Sequence, residues 1–179
     1  MDVNPEPDTK DWTWVLDEQC PECGFDTSAP QRSSLASLTD VIGQRWAEAM
    51  AMAPAPSQRP APAVWSPLEY ACHVRDVFDL ASYRVGLMRD EEAPSFANWD
   101  QDATAVESDY AAQDPQVVTG QLFEAAQRFA EVVRDVPDDA WARTGLRGDG
   151  AAFTIESFVR YLLHDPVHHL TDVTGERWT

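Results

Sequence analysis

WSPLEYACHVRDVFDLASYRVGLM (residues 65–88) carries both a helix start signal and a helix face. Ser66 can cap, Pro67 suits the first helical position, and Glu69 stands where a capping box wants an acid. Beyond the cap, Tyr70, Val74, Val77, Ala81, Val85 and Met88 fall on one stripe, with His73 among them. Such spacing predicts a long amphipathic helix that must bury this stripe against partners of its own kind.

Those partners lie on both sides. Upstream, APAPSQRPAPA (residues 53–63) holds four prolines and reads as an extended connection. Before it, Leu35, Leu38, Ile42, Trp46 and Ala49 predict a helix over about 33–52. Downstream, residues 90–113 are acidic with few periodic apolar positions and read as a loop. Asp114-Pro115 is another cap-plus-proline pair, and Val118, Leu122, Ala125, Phe129 and Val132 line the helix that follows it. Residues 135–145 read as a turn with a short helical piece, and LRGDGAAF as a hairpin-like or irregular turn. A last helix, about 154–173, bears one stripe of Ile155, Val159, Leu162, Pro166, Leu170 and Val173 and another of Phe158, Tyr161, His164 and His168. A helix apolar on most sides is buried on most sides. Period-two alternation is nearly absent. The expected fold is therefore all-α, a four-helix bundle with an irregular N-terminal arm. The arm, residues 1–30, would pack its CxxC on the bundle of residues 31–179, the whole forming a single domain.

Composition narrows the function. Against 31 Asp+Glu stand 13 Lys+Arg, a formal net charge of −18. That field repels phosphate backbones and anionic lipid, so neither nucleic acid nor membrane is an expected partner. No apolar run approaches the roughly 18 residues of a membrane span. MDVNPEPDTKDW lacks the basic and apolar regions of a signal peptide, and three cysteines do not make a disulfide framework. A cytoplasmic protein acting on a small molecule is expected; a homodimer is compatible with such a bundle.

The chain has four histidines, His73, His164, His168 and His169. His164 and His168 are at i and i+4, with Cβ atoms roughly 6 Å apart on one helix face, a spacing by which two imidazoles share a metal ion. His73, on the buried stripe of the second helix, is the natural third ligand, since bundles build metal sites from facing helices. His169 points about 100° away from His168 and reads as a neighbour. Pro166, between the paired histidines, removes one helical hydrogen bond; it either simply kinks the helix or re-aims His168. Three imidazoles with an open position favour zinc, nickel or iron(II) and would lower the pKa of a bound water or thiol. Cys20-Pro-Glu-Cys23 lacks a second CxxC and a βαβ setting, so it reads as a turn whose thiols pack, with metal or redox work the alternative. Cys72 reads as a small packed residue. Glu69, Asp76, Asp100, Asp102 and Asp165 are candidate bases or anchors for ligand histidines. Arg75, Arg84 and Arg160 would clamp a carboxylate wherever one faces inward.

WSPLEYACHVRD (residues 65–76) resembles the second-helix motif of the DinB/YfiT-like metalloenzyme superfamily, in which Trp-Ser/Thr-Pro-x-Glu leads to a histidine. HDPVHH (residues 164–169) is similar to the family's last-helix motif. The resemblance covers about residues 31–175. It implies a four-helix bundle with a three-His metal site, carried over onto His73, His164 and His168. The family run is His-x-x-His-His; here the doublet is offset by one and a proline intervenes, which leaves His169 as the alternative to His168. CPECGFD (residues 20–26) and FANWDQDA (residues 96–103) are similar to an actinobacterial-type subgroup.

The same resemblance implies a divalent metal, zinc or nickel foremost, and a low-molecular-weight thiol such as mycothiol as cosubstrate in S-transfer or isomerisation. The alternatives are a hydrolase activating water, and a non-catalytic metal-binding stress-response module. No glycine-rich nucleotide loop is present, so methyl transfer is not expected.

Overall fold

Each of the later long helices begins at a satisfied cap. A computed structural model describes residues 10–179. Ser66 Oγ accepts the Glu69 amide, and the Glu69 carboxylate accepts the Ser66 amide at 2.8 Å, opening α2 (Pro67–Asp90). Arg59 Nε donates to the same carboxylate at 2.9 and 3.1 Å, so the proline-rich link is tied to the helix it precedes. Asp114 caps α4 (Pro115–Arg134) through the Gln116 and Val117 amides. Thr154 and Ser157 form a reciprocal box at the start of α5 (Ile155–Thr174), which ends on left-handed Gly175. The remaining long helix, α1 (Leu35–Met52), follows a 3-10 turn.

The four long helices form the expected bundle. Helix α4 packs against α1 and α2, and α5 packs against the same two, so α1 and α2 stand on one diagonal. A link between diagonal helices has to cross an end of the bundle, which explains the length of residues 53–66. Trp46, Phe78, Phe129, Phe158, Leu122 and Leu163 fill the centre. The helix continues through Pro166, whose carbonyl accepts the Trp46 indole N–H at 2.9 Å. No helix among the described residues is long and apolar enough to cross a membrane.

Two expectations need correction or a limit. The loop expected at 90–113 contains strand β1 (Ser95–Phe96), helix α3 (Gln101–Glu107) and a 3-10 turn (Tyr110–Ala112). Helix α3 buries no residue, so it has no apolar stripe to read. It is held instead by Asp100, which accepts the Ala103 amide, and by the Trp99 indole on Thr104 Oγ1. The irregular arm expected over residues 1–30 falls, up to residue 9, outside the described residues. From Thr13 onward the chain is fixed: Arg160 donates to the Thr27 and Pro30 carbonyls.

A small sheet completes the fold. Strand β1 runs parallel to β2 (Thr144–Arg147), which pairs antiparallel with β3 (Ala152–Thr154), so LRGDGAAF does turn as a hairpin. Phe96 and Phe153 set the sheet against Phe158 of α5, and β2 brings Arg147 to the cleft described below.

Candidate metal centres

Helix α5 presents two i,i+4 donor pairs, one residue apart, to two different neighbours. A step of one residue turns about 100°. Asp165 and His169 therefore meet α2, while His164 and His168 meet the segment ahead of α1.

On the α2 side, His73, Asp165 and His169 offer donor atoms within 4.8 Å of one another. His73 Nε2 lies 3.2 and 3.3 Å from the two Asp165 oxygens, and His169 Nε2 lies 3.8 Å from Oδ2. Both imidazoles thus aim at one carboxylate. Asp172 faces His169 Nδ1 at 2.9 Å, and a carboxylate on Nδ1 leaves Nε2 as the lone-pair nitrogen. His73 is completely buried, stacked on Trp99 with ring centroids 5.3 Å apart, and its Nδ1 has no hydrogen-bond partner among the described residues. Burial alone would raise the Asp165 carboxyl. The His73 and His169 rings, with the hydrogen bond from His73, outweigh it and hold Asp165 below the ordinary carboxylate range. An ionised carboxylate with two imidazoles is the donor set of open catalytic zinc sites, so these residues fit a divalent ion.

Asp165 and His169 line a cleft of about 790 Å³. Its walls are aromatic, with Trp12, Trp65, Trp99, Tyr70 and Tyr161, and mixed in charge, with Lys10, Arg84 and Arg147 among several aspartates; His164 and His168 border it as well. Arg147 is engaged by Asp149 and Tyr161. Arg84 is buried, gives Nη2 to the Ala97 carbonyl at 2.7 Å, and leaves Nε without a hydrogen-bond partner among the described residues. Burial and the neighbouring Arg147 lower its pKa from the ordinary arginine value. Of the three arginines singled out in the sequence, Arg84 is the one that lines the cleft, and no ion pair holds it among the described residues. Arg75 is held by Asp76, Gln113 and Gln121, and Arg160 by Glu156.

On the other face, His164 and His168 come together with Cys20 and Cys23, again with donor atoms within 4.8 Å. Both cysteines are free thiols with no exposed surface. Burial pushes the Cys23 thiol up to about 12 and the His164 imidazole down to about 4, and lowers His168 as well, so without a cation the thiol and both rings are neutral.

The structure thus divides the trio expected from the sequence. His164 and His168 stay together, but His73 joins Asp165 and His169. The reason is the single-residue offset on α5: the pair facing α2 is 165/169, and 164/168 points elsewhere. His169, the alternative to His168, is the histidine beside His73. Asp165, read as a base or an anchor, lies within reach of both His73 and His169. Its signal was present, since Asp165 and His169 are themselves at i and i+4. Glu69 serves the α2 cap, Asp76 pairs with Arg75, and Asp100 caps α3.

A four-helix bundle with a His-carboxylate donor set at the floor of an open cleft defines the class. The chain belongs to the DinB superfamily, whose family model matches residues 34–173. Two solved structures share the fold. YfiT from Bacillus subtilis, described as a probable metal-dependent hydrolase with an unusual four-helix bundle topology, is 19% identical, with a TM-score of 0.71 over 83% of this chain and 88% of its own. The mycothiol-dependent maleylpyruvate isomerase is 11% identical, with a TM-score of 0.64 over 83% of this chain and 62% of its own. At these identities the likeness shows the fold alone. No curated protein matches the chain.

Proposed function

We propose that the chain is a divalent-metal enzyme in which His73, Asp165 and His169 hold the ion, zinc or nickel foremost. In this reading a small thiol such as mycothiol is cosubstrate for S-transfer to, or isomerisation of, a carboxylate-bearing small molecule. The carrying observation is that two Nε2 atoms converge on one carboxylate at the floor of an open cleft. An ion on these donors would supply a Lewis acid that lowers the pKa of a thiol or water reaching it.

The chain's own residues do the rest. Asp172 holds the His169 ring in the orientation that presents Nε2. Trp99 and Trp65 pack against the His73 ring and keep water from behind it. Arg84 offers an unused N–H and a buried positive charge in a chain of net charge −18, which supports an anionic substrate. A cleft of about 790 Å³ suits a thiol and an acceptor together. The mycothiol dependence of one structural neighbour, the maleylpyruvate isomerase, agrees with this reading.

Water in place of thiol is the second reading, supported by the description of YfiT as a probable metal-dependent hydrolase. Elemental mass spectrometry on untagged protein, with turnover assays on unsaturated carboxylic acids and activated esters, tests both. His73→Ala should lose about one metal ion per chain and all turnover, and wild-type turnover should require mycothiol. Turnover without any thiol would select the hydrolase. Unchanged activity in His73→Ala would exclude both.

A further inference from the structure

The cleft uses one donor pair of α5 and leaves His164 and His168 without a role. We propose that Cys20, Cys23, His164 and His168 form a second, closed zinc site that fastens the segment ahead of α1 to the bundle.

The donor chemistry selects the metal. Two sulfurs and two imidazoles in Cys-x2-Cys and His-x3-His spacing form a tetrahedral zinc set, and four protein ligands leave no open position. Zinc–sulfur and zinc–nitrogen bonds at the tetrahedral angle put S and N about 3.6 Å apart. Cys20 Sγ and His168 Nδ1 lie 3.8 Å apart. Charge also balances: zinc displaces one proton from each thiol, and two thiolates cancel the dication, so the buried centre carries no net charge.

Three observations at the site point to a ligand rather than to packed thiols. His164 is 4% exposed, and its Nε2 has no hydrogen-bond partner among the described residues. An orphaned buried nitrogen beside two buried sulfurs is costly unless a cation takes its lone pair. His168 turns Nδ1 to Cys20 and Nε2 to Glu22 at 3.5 Å, the arrangement in which a carboxylate orients a ligating imidazole. The Phe25 amide donates to Cys23 Sγ at 3.4 Å, a bond that favours thiolate.

The turn is built to hold both sulfurs inward. The Gly24 amide donates to the Cys20 carbonyl, the Cys20 amide to the Phe25 carbonyl, and the Trp178 amide to the Cys23 carbonyl. Gly24 sits at φ +81°, and a Cβ there would meet the Trp178 carbonyl oxygen at 3.1 Å. The rings of Trp12 lie against His164 and His168 on the remaining side. His164 and His168 also border the cleft, but four protein ligands would fill the coordination sphere, so such a site fastens two distant stretches of chain, residues 20–23 and 164–168, instead of presenting a reactive ion.

The test uses the full chain, stripped of metal under reducing conditions and reloaded with cobalt(II). Thiolate-to-cobalt charge transfer and the intense visible bands of tetrahedral cobalt should appear, persist in Asp165→Ala and vanish in Cys20→Ser/Cys23→Ser. Native mass spectrometry of the zinc protein should count two ions in wild type and one in Asp165→Ala. Because the double variant could misfold, chelation of the wild type is the second measurement. It should lower the melting temperature by about 10 °C and expose Cys20 and Cys23 to alkylation. Absence of the charge-transfer band in reloaded wild type, or thiols that alkylate equally with and without zinc, would overturn the site. Neither result depends on the cleft, whose own failure would show as an unchanged metal count in Asp165→Ala.

Discussion

Two faces of one helix carry the same ingredients and put them to opposite use. On the cleft face, Asp165 and His169 have side chains 35% and 19% exposed and meet one residue, His73, from α2. On the other, His164 and His168 meet two wholly buried cysteines under the ring of Trp12. Three protein donors leave room on an ion for a reacting molecule; four leave none, even where two of them, His164 and His168, border the cleft. The difference lies in what α5 faces at each azimuth, and the lesson is that donor spacing along a helix names a pair without naming its partner.

Exchanging the damage between faces should separate chemistry from fastening most sharply. Asp165→Ala should lower turnover by more than about 100-fold with a smaller fall in melting temperature, because the carboxylate pairs with the buried His73 ring but fills no core space. Cys23→Ser should do the reverse, with a larger drop in melting temperature and near-wild-type specific activity in the folded fraction, since Cys23 does not line the cleft. Steady-state kinetics beside calorimetry on the two variants decides it. Equal losses of activity in both would mean the two centres work as one.

This contrast also marks how far the residues could be read alone. The bundle was legible because its signals are local: Ser66-Pro67, Asp114-Pro115 and Thr154 each announce a helix within four residues. Helix α3 was not, since a helix lying on the surface with only Asp100 and Trp99 to hold it has no buried stripe. His73 was legible as a site residue by its place on the α2 stripe. Its partners were not, because HDPVHH contains two overlapping i,i+4 pairs and only packing decides which one turns toward α2. Cys20 and Cys23 lie some 140 positions from the histidines they meet, a separation that no local pattern bridges.

Acid should dissect the same two faces in metal-free protein. His164 has its pKa pushed down by burial to about 4, below the ordinary imidazole value near 6.5. A group depressed on folding contributes stability at pH above its unfolded value and loses it as pH falls through the folded one. For His164 that window runs from about 6.5 to 4 and is worth about 3 kcal/mol, with His168, also lowered, adding to the same limb. Asp165, lowered by its histidines, loses its contribution only below the ordinary carboxylate range near 4. Urea titrations at pH 7, 5 and 3.5 should therefore show an upper limb that His164→Gln flattens and Asp165→Asn does not flatten, since the Asp165 charge raises the His164 and His168 pKa values. An upper limb unchanged in His164→Gln would contradict the burial argument.

The smallest effect belongs to the backbone of the cysteine turn. Gly24 holds a left-handed conformation, and its missing side chain lets the Trp178 carbonyl and the Arg177 side chain close over the turn. Gly24→Ala adds the left-handed penalty of an L-residue, about 1–2 kcal/mol, plus whatever shift relieves the 3.1 Å contact. The C-terminal segment must give way first, because the Trp178 amide is tied to the Cys23 carbonyl at 2.8 Å and cannot retreat without breaking that bond. Denaturant melts should show this loss in zinc-loaded protein, while turnover at the cleft stays at the wild-type level because, among the described residues, no hydrogen bond joins a cleft residue to the backbone of residues 20–25. A matching fall in turnover would mean that the fastening face sets the geometry of the open one.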